Sequence, residues 1–220
     1  MRMVRTAAAI AGFTLVPSLL LAQAAPVTNI RDSWFWGING GAMMFNAGYD
    51  EDVTITAPSI GGEWFITRTQ IALRLAIQQA FFDDQAAVYD PTYTGAARPV
   101  NVKDWRRYSA EIFFLPSSAG TFTPYLGLGL ALNVLQSAAP VGSFVSEESL
   151  EEVFTLVNDF SSRASLLLSA GGQLTLGRSA LFVQASAMPT RQAFLLSRSQ
   201  YTLGLEAGIR YNFGSAIEKF

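Results

Sequence analysis

Apolar and polar residues alternate along most of this chain. In 201–213, Tyr201, Leu203, Leu205, Ala207, Ile209, Tyr211 and Phe213 fall on one side of an extended backbone, and Thr202, Gly204, Glu206, Gly208, Arg210 and Asn212 on the other. In 71–82 the same period sets Ile71, Leu73, Leu75 and Ile77 against Ala72, Arg74, Ala76 and Gln78. Segments 124–135 and 164–176 repeat it with leucines on one face and Gly, Ser, Asn or Gln on the other. Weaker alternation marks 34–45, 59–66, 106–115 and 180–188. The pattern predicts eight strands: 34–45, 59–66, 71–82, 106–115, 124–135, 164–176, 180–188 and 201–213.

Their connections are unequal in a regular way. Those at 67–70, 116–123 and 177–179 are short, and those at 46–58, 83–105, 136–163 and 189–200, which alternate with them, are long. An antiparallel up-and-down meander of eight strands puts all the short turns at one end and all the long loops at the other. That asymmetry belongs to transmembrane β-barrels with short periplasmic turns and long extracellular loops.

Two all-β barrels compete, a soluble one with an apolar inside and a transmembrane one with an apolar outside. The polar face carries Glu63, Arg74, Arg107, Glu111, Glu206 and Arg210 as its charges and is otherwise mostly Gly, Ser, Ala, Asn and Gln. Such a face is too poor in charge to meet water, but it suits a crowded lumen in which small residues make room for a few long polar ones. The apolar face bears one charge, Arg106, at an expected strand end from which it can reach the interface. Trp34, Trp36, Trp64, Tyr108, Tyr201, Tyr211 and Phe213 lie toward strand ends on that face, where aromatic girdles belong.

The lumen face makes a testable pair. If 67–70 closes a regular hairpin, Ile66 faces Ile71 and Glu63 lies directly opposite Arg74, both side chains pointing inward. The acids and arginines of that face balance, as burial requires. The expectation is an interior ionic network of Glu63, Arg74, Glu111, Glu206 and Arg210 that holds the barrel together as a plug.

Upstream of the strands, residues 1–24 begin with Arg2 and Arg5, continue through an apolar run and end in Ala22-Gln23-Ala24. This reads as a secretory signal peptide cleaved after Ala24, leaving 25–220 as one barrel domain. Over the whole chain, 15 basic residues stand against 17 acidic ones, so no positive field exists to hold nucleic acid. The absence of Cys and His removes disulfides, thiol nucleophiles, imidazole bases and the commonest metal ligands. No catalytic residue, cofactor or metal site is expected.

The export signal, the eight alternating strands, the short and long connections in turn, the inward Glu and Arg residues and the ending Gly208-Ile209-Arg210-Tyr211-Asn212-Phe213 resemble the small outer-membrane β-barrel family that includes the barrel of outer membrane protein A, OmpX and OmpW. The last strand is similar to the signal read by the barrel assembly machinery, carried here by Gly208, Tyr211 and Phe213. It departs from that signal in having Ala207 at a position that tends to be polar and in continuing past Phe213 to Phe220. The resemblance implies a place in the bacterial outer membrane, with its lipid and lipopolysaccharide and the assembly machinery as partners and no named extracellular partner.

The long loops offer three further features. In 146–160 the period becomes helical, with Leu150, Val153, Phe154 and Val157 on one face and Ser149-Leu150-Glu151-Glu152 as a capping box, which predicts a short helix over the barrel mouth. Asp50-Glu51-Asp52 lacks the glycine and spacing of a calcium loop and reads as a solvated acidic tip. Lys103, Arg106 and Arg107 form a basic cluster near an expected strand end, within reach of anionic headgroups. The barrel enzymes this chain resembles use a histidine. Two functional expectations therefore lead: a closed structural or surface-interaction barrel, and a narrow channel for small or hydrophobic solutes lined by Phe35, Met43, Phe113 and Leu167.

Overall fold

The structure, a computed structural model, describes residues 32–47, 54–116, 121–189, 194–196 and 201–215. The expected signal peptide and the Asp50-Glu51-Asp52 tip lie outside the described residues. Eight strands follow in order: β1 (Ser33–Phe45), β2 (Ile55–Thr67), β3 (Ile71–Tyr89), β4 (Ala97–Phe114), β5 (Phe122–Pro140), β6 (Ser162–Leu176), β7 (Ser179–Pro189) and β8 (Tyr201–Ser215), with one helix, α1 (Glu147–Phe160), between β5 and β6. Each strand pairs antiparallel with the next, and β1 pairs with β8, so the sheet closes into a barrel with no free edge.

Following paired residues round from Trp34 through Ile66, Leu73, Ile112, Leu128, Leu168, Ala187 and Leu203 leads to Met44, ten residues further along β1 (34 to 44). With eight strands, a stagger of this size tilts them by about 40° and leaves an interior that side chains can just fill.

The sheet is inside out relative to a soluble barrel. Ile38, Leu126 and Leu130 are 67%, 65% and 61% exposed, whereas Arg74 and Arg210 are fully buried. Outward positions on every strand repeat this, so an unbroken apolar belt surrounds a charged centre. Such a belt is stable only in hydrocarbon. On β5 it runs from Phe122 to Val134, which at about 3.3 Å per residue and a 40° tilt spans about 30 Å, enough to cross a membrane core.

Four sequence expectations are corrected. The β2–β3 hairpin pairs Thr67 with Ala72, so Ile66 meets Leu73 and not Ile71, and Glu63 lies across from Ala76 while Arg74 lies across from Phe65. Thr67 is drawn into the ladder because its hydroxyl accepts from Ser33 N–H at 3.0 Å and donates to the Ser33 carbonyl at 3.2 Å. The displacement is by two residues, so every side chain keeps its face. Second, β3 and β4 run far beyond the expected ends at 82 and 106. Past an irregularity between Ala80 and Asp83 they continue as a paired ribbon to Tyr89 and from Ala97, and that bulge ended the alternation read from the sequence. Third, Arg106 therefore sits within β4, where its Nε–H donates to Gln79 Oε1 at 3.0 Å. The basic cluster is dispersed, since Arg107 turns into the lumen and Lys103 faces Asp83 at 3.9 Å. Fourth, α1 is capped one turn earlier than expected. Extended Ser146 (φ −150°, ψ 164°) accepts from Ser149 N–H, and the Ser149 hydroxyl accepts from Ser146 N–H in return.

Candidate functional site

The lumen is packed in three layers. At the short-turn end, Phe35, Phe65, Ala72, Phe113, Leu115 and Tyr125 form a buried aromatic layer, with Phe65 and Phe113 edge-on at 5.9 Å and Phe113 and Tyr125 at 5.0 Å. At the long-loop end, Phe45 meets Trp105 at 5.5 Å and Trp105 meets Phe194 at 5.9 Å. Val153 and Val157 of α1 belong to the same buried cluster, together with Leu135, Leu167, Met188 and Leu196, so the helix covers the mouth with its apolar side.

The charged residues fill the space between. Glu63 shares inward parity with Phe65 and Thr67 on β2, and Arg74 shares it with Ala72 and Ala76 on β3. Although they are diagonal and not directly across, the long arginine reaches back: Arg74 Nε donates to Glu63 Oε2 at 2.5 Å. Its Nη1 donates to Glu111 Oε1 at 2.8 Å, and Nη2 lies 2.9 Å from Glu206 Oε1 outside hydrogen-bonding alignment. Arg210 Nε donates to the second Glu63 oxygen, Oε1, and its Nη1 donates to Gln173 Oε1 at 2.7 Å. The Arg210 guanidinium also lies 4.0 Å from the ring centres of both Phe65 and Phe182, joining this layer to the aromatic one.

Glycines supply the room. A Cβ on Gly37, across from Glu63 on β1, would come within 2.9 Å of the Glu63 Cγ and Oε1. One on Gly129, across from Glu111 on β5, would strike the Ala110 carbonyl oxygen at 2.2 Å.

All five residues expected from the sequence, Glu63, Arg74, Glu111, Glu206 and Arg210, thus converge. Residues not singled out there complete the arrangement. Gln78 accepts from Arg107 Nε at 2.9 Å and donates to Glu206 Oε2, Gln184 Nε2 donates to Glu206 Oε1 at 2.8 Å, and Ser169 Oγ donates to Glu111 Oε2. Their sequence signal was the amide or hydroxyl at an inward position, which alternation alone marks only as polar.

Outside the belt, the β3–β4 ribbon carries a further buried arginine. Arg98 Nε donates to Asp90 Oδ2 at 2.6 Å, its Nη1 donates to the Val141 carbonyl at 2.9 Å, and its guanidinium lies 3.9 Å from the centre of the Phe144 ring. Hydrogen bonds from Thr92 and from Arg98 hold the Asp90 carboxyl below its ordinary value. Residues 90 and 98 fell in a segment read as loop, and no periodicity pointed to the pair.

On the outer face, Trp36 stacks on Trp64 at 5.6 Å and 5°, and Trp34 meets Phe213 edge-on at 6.1 Å, all near the short-turn rim. Tyr211 and Phe213 point outward from β8, and Gly208 packs against the Ile38 carbonyl. Tyr201, at the loop end of β8, is exposed, and Tyr108 is the next outward residue of β4 after Arg106.

No family model matches this chain, and no curated protein matches it. Among solved structures, Neisserial surface protein A aligns with a TM-score of 0.52 at 10% identity, over 82% of this chain and 97% of its own. The outer membrane protein OprG from Pseudomonas aeruginosa aligns at 0.49 and 12% identity (84% and 98% covered), and Ail, the attachment invasion locus protein of Yersinia pestis, at 0.44 and 11% (83% and 99%). The first likeness establishes a shared fold, the small eight-stranded outer-membrane barrel.

Proposed function

We propose that this chain is an integral outer-membrane barrel with a closed lumen, acting as a structural or surface-interaction protein through the loops of its long-loop end. The carrying observation is the three-layer filling of the lumen. Phe35, Met43, Phe113 and Leu167, which a narrow channel needs along an open path, are buried within those layers. The ion pairs between them are fully desolvated, so opening a water path would expose matched charges and break several bonds at once. A histidine-free chain also lacks the usual general base, which supports a non-enzymatic role.

In this reading the apolar belt contacts outer-membrane lipid and lipopolysaccharide. The assembly machinery engages the last strand through Gly208, Tyr211 and Phe213, and Trp34, Trp36, Trp64, Tyr108, Tyr201 and Tyr211 anchor the barrel at its two interfaces. The test is conductance in planar bilayers. The folded protein is expected to give no steady openings, and openings that persist in both Glu63→Ala and Arg74→Ala would replace the plug with a pore.

A further inference from the structure

On the outer face an apolar groove of about 850 Å³ begins at Ser179 and Tyr211 near the short-turn rim and runs across β8, β1, β2 and β3 to Tyr108 on β4. Because paired positions climb toward the loop end from β1 onward, the groove rises obliquely from the rim into the belt. Its floor is Gly62, flanked by Ile38 and Ile77 on the neighbouring strands and by Trp64 on its own.

Nothing inside the fold requires glycine at 62. Its φ is ordinary, and an added Cβ would meet only the Gly37 carbonyl oxygen, at 3.8 Å. This sets it apart from the inward glycines, whose added carbon would collide with backbone or with lumen side chains such as Glu63, Phe113 and Ser186. Glycine within a strand costs stability, so its effect here is on what lies outside the barrel.

At the low end of the groove, Arg178 in the β6–β7 turn is exposed. Its guanidinium lies 5.9 Å from the centre of the Tyr211 ring, and among the described residues no carboxylate lies within ion-pairing distance. Arg68, in the β2–β3 turn, has Asp32 at 3.9 Å.

An exposed cation with no carboxylate partner among the described residues stands at the mouth of a greasy trough that leads into hydrocarbon. From this we infer that the groove is a binding site for one anionic phospholipid of the short-turn leaflet, its phosphate on Arg178 and an acyl chain laid over Gly62 between Trp36, Trp64 and Ile77. The planar guanidinium suits a phosphate, and an oblique, nearly all-apolar trough suits a chain. The site rests on the transmembrane reading above.

The test uses the full barrel, folded in detergent and confirmed by its heat-dependent gel mobility. Native mass spectrometry then follows retention of added dioleoyl phosphatidylglycerol against dioleoyl phosphatidylcholine. Wild type is expected to keep one phosphatidylglycerol, with a preference over phosphatidylcholine of about fivefold, the effect of a single interfacial arginine. Arg178→Gln is expected to abolish the preference, and Gly62→Leu to abolish retention of both lipids. Ala185→Leu, on the outward face of β7 and away from the groove, should retain lipid as wild type does. Equal retention of the two lipids by wild type, undiminished retention by Gly62→Leu, or a dimer whose formation Gly62→Leu removes would each overturn the site while leaving the barrel standing. Failure of the folded chain to show heat-dependent mobility would overturn the transmembrane reading and the site together.

Discussion

Arg74 faces three carboxylates, Glu63, Glu111 and Glu206, while Glu63 divides its two oxygens between Arg74 and Arg210. Glu63 is thus the joint of the ionic layer. Changing it to Gln leaves Arg210 without a carboxylate partner among the described residues, and an uncompensated buried charge costs about 3–5 kcal/mol. Urea unfolding from phospholipid vesicles should show a loss of that order for Glu63→Gln. The pair Glu63→Gln with Arg210→Met should lose less, because the orphaned cation goes too; a loss for the single variant below about 1 kcal/mol would show the layer to be ornamental. Which residues point inward was legible in the sequence, because a period of two fixes parity and one misplaced step would send Glu63 and Arg74 into lipid. Which residue each of them faces across the hairpin was not legible. A two-residue displacement preserves parity, and the deciding bonds between Thr67 and Ser33 join residues 34 positions apart.

The strands divide at the bulge between Ala80 and Asp83 into a membrane part and an aqueous ribbon. The first part was readable because lipid imposes a single rule on every outward position. In the ribbon, water accepts Asp83, Asp84, Gln85 and Lys103 alike, so alternation fades although pairing continues. There the Asp90–Arg98 pair ties the turn to the Val141 and Ser143 carbonyls beyond β5. Since the folded Asp90 carboxyl titrates below its ordinary value of 3.8, it adds stability that is complete above that value and is lost as pH falls through the lower, folded one. Amide exchange in 84–102, corrected for its intrinsic pH dependence, should therefore lose protection on acidification below about pH 4. Asp90→Asn should be less protected at neutral pH and should flatten that dependence; an unchanged acid profile in the variant would remove Asp90 from the account. The helix α1 was legible as a helix for the usual reason, its apolar period. Its start was not, because Ser146 and Ser149 are equally good caps by type and only the extended backbone at Ser146 selects between them.

At the scale of the molecule, an outward apolar belt and an inward ionic layer make the closed barrel compact in detergent. Unboiled protein is expected to migrate on a denaturing gel apart from boiled protein, and identical mobility in the two states would contradict closure. The ionic layer draws its members from Asn39 on β1, Glu63 on β2, Arg74 and Gln78 on β3, Arg107 and Glu111 on β4, Ser169 and Gln173 on β6, Gln184 on β7, and Glu206 and Arg210 on β8. No contiguous half of the sheet is self-sufficient, since Glu63 waits for Arg210 from the last strand and Arg74 for Glu206. A chain that has laid down its early hairpins but not yet docked β8 already sets Glu63 and Glu111 against Arg74, but one Glu63 oxygen and one Arg74 amino group still lack the partners that β8 brings. Bond completion, and not net charge, therefore rewards closure: the final seam delivers an acid and a base together, and each finds a place already prepared for it on the second and third strands.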